Sequence, residues 1–316
     1  MLLSLVIPLY NEKENVVPLV KCIKKAMKDN GYEFEVILVN DGSSDGTDKL
    51  LDEIAEKEKK FKIVHFRFNY GQTAALLAGF DYATGDIIVT LDGDLQNDPA
   101  DIPMLLAELD KGYDVCSGWR KNRKDAPTRV IFSKIANKII SVVSGIKLND
   151  YGCTLKAYRK EIIKDFRLYG EMHRFIPIYT SWCGAKVSEI PVSHNPRMRG
   201  QSKYGMSRIF KVILDLMVIK FFSKYYNKPI YLFGLFGFIN FFLSFISFII
   251  MIYYKCWGGK SFVETPLPML VVLFFIVGIM SLFMGILAEV QMRTYYESQQ
   301  KRVYLVRAVK NIKKKD

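Results

Sequence analysis

Apolar runs and amphipathic stretches alternate over the first two hundred residues of the chain. Four apolar, β-branched runs predict strands, at residues 2–9, 34–39, 63–66 and 86–91. Three stretches with helical signals lie between them, at residues 14–28, from 48 onward and at 72–83. Strands that alternate with helices of this length are typical of βαβ units. The pattern therefore predicts an α/β domain with a mostly parallel sheet and helices on both faces.

The last third of the chain has a different pattern. Residues 230–254 and 265–288 contain no charged side chain, and each run exceeds the ~20 residues that cross a bilayer. Residues 207–228 mix apolar and charged side chains, which predicts an amphipathic helix at the membrane surface. The predicted organisation is a soluble domain over 1–206, a juxtamembrane segment over 207–228, two transmembrane helices within 229–290 and a basic tail over 291–316.

The distribution of charge predicts the orientation in the membrane. Lysines and arginines flank both apolar runs, whereas the loop between the runs holds only Lys255, Lys260 and Glu264. By the positive-inside rule, both termini and the soluble domain are expected in the cytoplasm, with the chain as a multi-pass protein of the cell membrane. The amino terminus also lacks the basic lead of a signal peptide.

The basic composition raises the question of a nucleic-acid partner. The net charge is +13, but no zinc knuckle, helix-turn-helix or stacking-aromatic motif accompanies it. We therefore expect no nucleic acid, and we expect membrane lipids and phosphates as the anionic partners. The five cysteines are scattered and form no Cys-x-x-Cys pair, which indicates a reducing compartment and neither a zinc site nor a disulfide framework.

The fourth predicted strand ends in an acidic tip. Asp92 and Asp94 flank Gly93, and Gln96 follows. Hard cations such as Mg²⁺ or Mn²⁺ take carboxylate ligands and often fill their shell with substrate phosphates. Taken alone, the pair is also compatible with a solvated turn or a helix cap.

Other polar clusters fall at strand ends as well. Residues 8–12 and Asp41 follow the first and second predicted strands, so they are expected to meet the acidic tip in one crevice at the carboxyl edge of the sheet. The first turn lacks Gly-x-Gly-x-x-Gly, and the chain lacks a P-loop. Dinucleotide oxidoreductases and P-loop NTPases are disfavoured, while a nucleotide diphosphate bound through a metal stays open.

Two basic segments offer phosphate ligands. The first, residues 118–134, is dense in cations, and guanidinium groups match phosphate oxygens; its candidates are Arg120, Arg123 and Arg129. A solvated basic loop is the alternative. The second, residues 194–205, could clamp the donor diphosphate or a lipid phosphate; its candidates are Arg199, Ser202 and Lys203.

Five motifs in order carry a specific resemblance. They are PLYNE at 8–12, NDGSSDGT at 40–47, LDGDLQNDP at 91–99, DYGCTLKAYRKE at 150–161 and HNPRMRGQSKYG at 194–205. Together with two membrane spans, they resemble the polyprenyl-phosphate glycosyltransferases of the GT-A, family 2 type, which include dolichol-phosphate mannose synthase and bactoprenol glucosyltransferases. The resemblance covers essentially the whole chain and implies a Rossmann-like GT-A domain.

The resemblance also implies roles for individual residues. The implied donor-nucleotide ligands are Pro8, Tyr10, Glu12, Asp41 and Asp92. The implied metal and donor-phosphate ligands are Asp92, Asp94 and Gln96, with Asp94 also counted as catalytic. Asp150 matches the catalytic carboxylate of inverting enzymes. A phosphate acceptor, with a second pKa of ~6, is already substantially ionised at neutral pH, so we expect Asp150 to orient groups or to take up the residual proton.

The expected function is the inverting, metal-dependent transfer of one hexose from a nucleotide-diphosphate sugar to undecaprenyl phosphate at the cytoplasmic face. UDP-glucose is the first candidate donor, and the product would serve cell-surface glycan modification. A homo-oligomer, a flippase and a downstream transferase are compatible partners. Two alternatives stay open: a catalytically silent scaffold that binds nucleotide sugar, and a processive polysaccharide synthase, which is disfavoured because no Gln-x-x-Arg-Trp motif occurs.

Overall fold

The computed structural model describes residues 1–121, 127–164, 172–196, 230–259, 261–298 and 304–312. The chain divides into two compact units. The first combines Met1–Asp215 with Arg302–Asp316, and the second is Leu216–Lys301. The predicted amphipathic segment at 207–228 lies outside the described residues.

The first unit alternates strands and helices along most of its length. Its described strands are β1 (Leu2–Leu9), β2 (Glu33–Asn40), β3 (Phe61–Phe66), β4 (Ile87–Thr90), β5 (Val115–Trp119), β6 (Lys156–Arg159), β7 (Val187–Pro191) and β8 (Val306–Lys310). Its described helices are α1 (Lys13–Asp29), α2 (Thr47–Lys57), α3 (Gln72–Tyr82), α4 (Ile102–Asp110), α5 (Pro127–Ser144), α6 (Lys160–Ile163) and α7 (Ile176–Trp182). Short 3-10 turns at Pro99–Asp101 and Met172–Phe175 precede α4 and α7.

These strands form one mixed sheet in the order β7-β5-β6-β4-β1-β2-β3-β8. The central strands β4, β1, β2 and β3 are parallel, and β5 pairs with β7 in parallel as well. Strand β6 runs antiparallel to both β4 and β5. The structure therefore confirms the predicted Rossmann-like α/β fold, including the four strands expected from the apolar runs.

The sheet buries both faces. Along β1, Leu5 and Ile7 face a cluster that includes side chains of α1 and α4, whereas Val6 faces the helix α3. A parallel strand that is covered on both faces has apolar residues at nearly every position. For this reason the central strands could be predicted from unbroken apolar runs in the sequence. The carboxyl ends of β1, β2 and β4 consequently lie at one edge of a rigid sheet.

Strand β8 was missed by the sequence analysis, which assigned residues 291–316 to a basic tail. The strand pairs antiparallel with β3 and closes that edge of the sheet. Just before it, Tyr304 stacks on Phe66 with ring centroids 5.0 Å apart and donates a hydrogen bond to the Asp81 carboxylate at 2.7 Å. The basic residues within β8 concealed its apolar positions. The chain thus returns to the first unit after the second unit ends.

The second unit contains two long apolar helices, α8 (Ile230–Cys256) and α9 (Leu267–Ser298), in the part that is described. Each is long and apolar enough to cross a membrane, over Phe233–Cys256 and Leu267–Ala288. The helices approach closely at Gly237 and Gly278, where a Cβ atom on Gly237 would lie 3.1 Å from the Gly278 carbonyl oxygen. The Ser244 hydroxyl donates across the pair to the Val271 carbonyl at 2.8 Å.

Candidate active site

The end of β2 is fixed by Asp41, which is buried. Its two carboxylate oxygens accept hydrogen bonds from the backbone N–H groups of Tyr70 (2.6 Å) and Gly71 (2.9 Å). Burial raises the pKa of this carboxyl, and the two N–H donors oppose that effect. In this structure Asp41 therefore anchors the loop before α3, a contact that the sequence did not predict for an implied nucleotide ligand.

The segment after β1 enters α1. Tyr10 is partly exposed, and Glu12 immediately precedes the helix. The Glu12 carboxylate accepts a hydrogen bond from the Asn15 side-chain amide at 2.6 Å rather than from a backbone N–H. Pro8 lies in β1, beside Val39 of β2. The three implied nucleotide ligands therefore lie at or just after the carboxyl end of β1, next to the end of the parallel strand β2, as predicted.

The acidic tip after β4 is held from several directions. The Gln72 amide at the start of α3 donates to Asp92 at 2.8 Å, and the backbone N–H of Gln96 donates to Asp94 at 3.1 Å. The absence of a side chain at Gly93 is explained by packing, because a Cβ atom there would lie 2.3 Å from a methyl carbon of Leu9. The motif by itself gives no indication of this packing role.

The charge state of the tip favours a cation. Burial, together with the negative charge of Asp94, raises the pKa of Asp92 to about 6. A divalent ion would relieve the repulsion between the two carboxylates. Among the described residues no three His, Cys, Asp or Glu side chains converge to hold a metal. The residues present thus fit an ion such as Mg²⁺ or Mn²⁺ that takes one or two carboxylates and completes its shell with substrate phosphates and water.

A buried ion pair joins two of the sequence candidates. Arg120, just after β5, donates through Nε to Asp150 Oδ2 at 2.7 Å and through Nη2 to Asp150 Oδ1 at 2.9 Å. The backbone N–H of Gly152 adds a donor to Oδ1 at 3.1 Å. Gly152 also gives the guanidinium room, since a Cβ atom there would lie 3.1 Å from Nη2. The guanidinium predicted to bind phosphate therefore has part of its donor fork occupied by the predicted catalytic carboxylate.

Two buried residues beside these groups were not proposed from the sequence. The Nε2 atom of His194 is 3.5 Å from the side-chain nitrogen of Gln96. The next residue, Asn195, donates its backbone N–H to the backbone carbonyl of Gln96 at 2.9 Å. Lys156 lies in β6, directly opposite Thr90 of β4. A lone histidine gives no local signal, and a lysine within an apolar strand motif is ordinarily interpreted as exposed.

The remaining basic candidates are not described at the level of side chains. Arg123, Arg199, Ser202 and Lys203 lie outside the described residues. Arg129 lies in α5, for which the backbone position alone is described at that residue. Their predicted role in phosphate binding stays a prediction.

Comparison with known proteins identifies the fold and the family. Residues 4–167 match glycosyl transferase family 2. The chain is 42% identical over 312 residues to a dodecaprenyl-phosphate galacturonate synthase from Rhizobium johnstonii, covering 97% of this chain and 92% of that protein.

Solved structures agree on the fold of the first unit. Glucosyl-3-phosphoglycerate synthase from Mycobacterium tuberculosis, in complex with Mn²⁺, UDP and glucosyl-3-phosphoglycerate, superposes with a TM-score of 0.54 at 16% identity, over 70% of this chain and 79% of that one. The same enzyme with Mn²⁺, UDP-glucose and phosphoglyceric acid gives the same TM-score and coverage. The match to residues 4–167 and the 42% identity over nearly the full length together show that the chain is a glycosyltransferase of the GT-A type and belongs to glycosyl transferase family 2.

Proposed function

We propose that this enzyme transfers a single sugar from a nucleotide-diphosphate sugar to undecaprenyl phosphate, with inversion at the anomeric carbon and with Mg²⁺ or Mn²⁺ bound at the acidic tip. The observation that carries the proposal is the presence of a cation-favouring tip, made of the half-buried Asp92 and the buried Asp94, in the same unit as the Arg120–Asp150 ion pair. The full-length relative from Rhizobium johnstonii, named for a polyprenyl-phosphate product, supports the acceptor class.

The residues divide the chemistry between them. Asp92, Asp94 and Gln96 would hold the metal and the donor diphosphate, and the bound metal would neutralise charge on the leaving nucleoside diphosphate. The acceptor phosphate oxygen would attack the anomeric carbon from the side opposite the diphosphate. Because this oxygen is already ionised, the enzyme needs to position it rather than to deprotonate it.

The position of Asp150 suits an orienting role. Both of its oxygens accept hydrogen bonds from Arg120, so the carboxylate is fixed in place and its charge is compensated. Within the described parts of the chain, Asp150 uses two of the five N–H donors of the guanidinium, and the others could meet a phosphate oxygen. Arg123, Arg129, Arg199, Ser202 and Lys203 complete the proposed phosphate ligands.

The sugar has two candidates. UDP-glucose was expected from the resemblance of the sequence to bactoprenol glucosyltransferases. The name of the Rhizobium johnstonii relative adds UDP-galacturonate, whose sugar has a carboxylate at C6 and the opposite configuration at C4. Both donors share the diphosphate that the acidic tip is proposed to hold, so the choice depends on contacts to the sugar.

The topology supports a hairpin with both ends in the cytoplasm. Strand β8 follows α9 and belongs to the same sheet as β1 to β7. If α8 and α9 cross the membrane, the chain on either side of the hairpin must lie on one side of the bilayer, because both flanks contribute to one folded unit. The lysines and arginines that flank the apolar runs favour the cytoplasmic side.

A transfer assay tests the proposal. Full-length protein in detergent is incubated with undecaprenyl phosphate, Mn²⁺ or Mg²⁺, and a panel of radiolabelled UDP- and GDP-sugars. We expect label in the organic phase with one donor, and its loss with a chelator and in Asp94→Asn. The matched control is Asp86→Asn, because Asp86 lies just before β4, at the opposite end of the strand, where it accepts a hydrogen bond from Leu2 N–H at 2.9 Å.

The alternative functions predict different results. A catalytically silent scaffold would bind nucleotide sugar and give no lipid-linked product with any donor. A processive synthase would give products with more than one sugar per lipid. Either result from folded protein would refute the proposed single transfer.

A further inference from the structure

A narrow cavity lies beside the acidic tip in the first unit. The volume of the cavity is about 10 Å³, which is room for about one water-sized group such as a single oxygen atom. Its lining contains cationic and neutral groups and no carboxylate: Leu76, Thr90, Tyr151, Gly152, Cys153, Thr154, Lys156, Tyr158, His173 and Arg174. The function proposed above does not use this cavity.

The ammonium group of Lys156 is the most unusual group in the lining. The residue is 2% exposed, and its Nζ donates one hydrogen bond in the described part of the chain, to the Tyr151 carbonyl at 3.3 Å. An ammonium has three N–H donors, and this long contact uses one of them. The negative charges of Asp150 and Asp92 compensate the ammonium in part, but burial outweighs them and lowers the pKa of the amine. A buried charge that stays costly in this way is retained mainly where it has a function.

His173 and Arg174 also line the cavity. Arg174 Nε lies 3.4 Å from His173 Nε2, and His173 Nδ1 lies 2.7 Å from the Thr73 hydroxyl. These contacts order the His173–Arg174 pair against the start of α3. The lining therefore contains a lysine of β6 and an arginine of the 3-10 turn before α7.

The cavity borders the proposed active site. Two of its lining residues contact the acidic groups there: Thr154 is hydrogen bonded to the Asp92 carboxylate, and the Gly152 N–H donates to Asp150 Oδ1 at 3.1 Å. Lys156 is the register partner of Thr90, and Asp92 follows Thr90 by two residues. An oxygen bound in the cavity would thus lie next to the residues that are proposed to hold the donor.

We propose that this cavity is an oxyanion subsite for the donor, in which the Lys156 ammonium, supported by the His173–Arg174 pair, binds a negatively charged oxygen. The proposal rests on the proposed function and adds a ligand group to the same site. The oxyanion has two sources in a nucleotide-diphosphate sugar, namely the diphosphate itself and the carboxylate of an acidic sugar such as galacturonate.

A structural role is the competing explanation. Lys156 also interacts electrostatically with Asp150 and Asp92, so it could simply balance their charge. The two roles differ in what removal of the charge does. A balancing charge stabilises the ligand-free protein, whereas a charge retained for a ligand costs stability until the ligand binds.

The test compares binding of three probes by full-length protein with Mn²⁺ present: UDP, UDP-galactose and UDP-galacturonate. The last two differ only at C6, where the second has a carboxylate. The variant is Lys156→Met, which keeps the length of the side chain and removes the charge. The matched control is Lys160→Met, which removes a lysine at the other end of β6, away from the cavity. Lys160 Nζ donates a hydrogen bond to the Thr84 carbonyl at 2.8 Å. Dissociation constants come from calorimetry, and the melting temperature is recorded for each protein without ligand.

The subsite predicts about 10- to 100-fold weaker binding in Lys156→Met, as expected for the loss of a charged hydrogen bond, and no change in Lys160→Met. Weakening for all three probes assigns the oxyanion to the diphosphate. Weakening for UDP-galacturonate alone assigns it to the sugar carboxylate. Both results support the subsite.

Unchanged binding in a folded Lys156→Met protein overturns the proposal. A variant that melts well below the wild type, or that does not fold, also overturns it, because the ammonium would then be structural. Transfer to undecaprenyl phosphate is measured separately. Lys156-dependent binding without transfer would refute the acceptor proposed above and leave the subsite intact.

Discussion

The buried Lys156 makes a prediction about stability that needs no ligand. Burial lowers the pKa of this amine from its ordinary value of 10.5 to about 8. Each unit of pKa difference between folded and unfolded protein corresponds to about 1.4 kcal/mol, so the folded state bears a cost of about 3 kcal/mol when the amine is protonated. Lys156→Met removes that cost and should raise the free energy of unfolding at neutral pH.

The sign of the pH dependence follows from the lowered pKa. Below pH 8 the amine is protonated in the folded and the unfolded protein, and the full cost is present. Between pH 8 and 10.5 the folded protein has lost the proton while the unfolded chain still binds it, so the wild type gains stability as pH rises. The advantage of the methionine variant should therefore be largest at pH 7 and should shrink toward pH 10.5.

Thermal unfolding followed by tryptophan fluorescence measures this difference. For a domain of 150–250 residues, about 3 kcal/mol corresponds to roughly 6–12 °C in the melting temperature. Loss of the hydrogen bond to the Tyr151 carbonyl would reduce the gain by about 1 kcal/mol. Other lysines and the tyrosines titrate in both proteins, so their effect cancels in the difference. A variant that melts below the wild type at pH 7, or a difference that is constant with pH, would refute the reasoning.

Three further predictions concern other contacts. Arg120→Ala leaves the buried Asp150 carboxylate without its partner and should cost about 3–5 kcal/mol of stability, and a double-mutant cycle with Asp150→Asn should show strong coupling in chemical denaturation. Tyr304→Ala should lower the free energy of unfolding by about 3–5 kcal/mol in the same assay. The substitution removes the stacking on Phe66 and the hydrogen bond to Asp81, which attach the segment before β8 to the sheet. An unchanged denaturation midpoint would show that β8 adds no stability through this residue. Gly278→Leu places a side chain where Gly237 approaches and should separate the two apolar helices. Disulfide trapping of cysteines introduced at facing positions would detect this as a lower yield than in the control Gly234→Leu, because a Cβ atom at Gly234 has no atom of the described residues within 4 Å.

The sequence was sufficient for the elements whose signal is local. The four central strands are buried on both faces, so each appears as an apolar run, and the helices between them have clear periodicity. The two apolar helices follow from length and composition. Strand β8 was missed because its signal depends on a partner: its apolar positions alternate with basic residues, and only the exposed edge of β3 makes it a strand.

The same distinction applies to the site. Asp92 and Asp94 could be placed because they follow a strand, and the ends of parallel strands meet at one edge. The pairing of Arg120 with Asp150 spans thirty positions of sequence and has no local signal. Lys156 is next to the apolar Ala157 in β6. Because neighbouring side chains of a strand point to opposite faces, the sequence favours an exposed lysine opposite a buried alanine, whereas both residues are buried.

The Arg120–Asp150 pair connects the geometry to the nature of the acceptor. A carboxylate whose oxygens accept two guanidinium hydrogen bonds and a backbone N–H has little capacity left to take a proton from a hydroxyl. An acceptor that arrives as a phosphate has no such proton to lose near neutral pH, so a fixed carboxylate is no handicap. The ion pair therefore favours a phosphate acceptor over an alcohol. The matching expectation is that transfer by Asp150→Asn falls through misplacement of Arg120, with little change in its dependence on pH between 7 and 9. A new basic limb in the pH profile of the variant would show instead that Asp150 removes a proton.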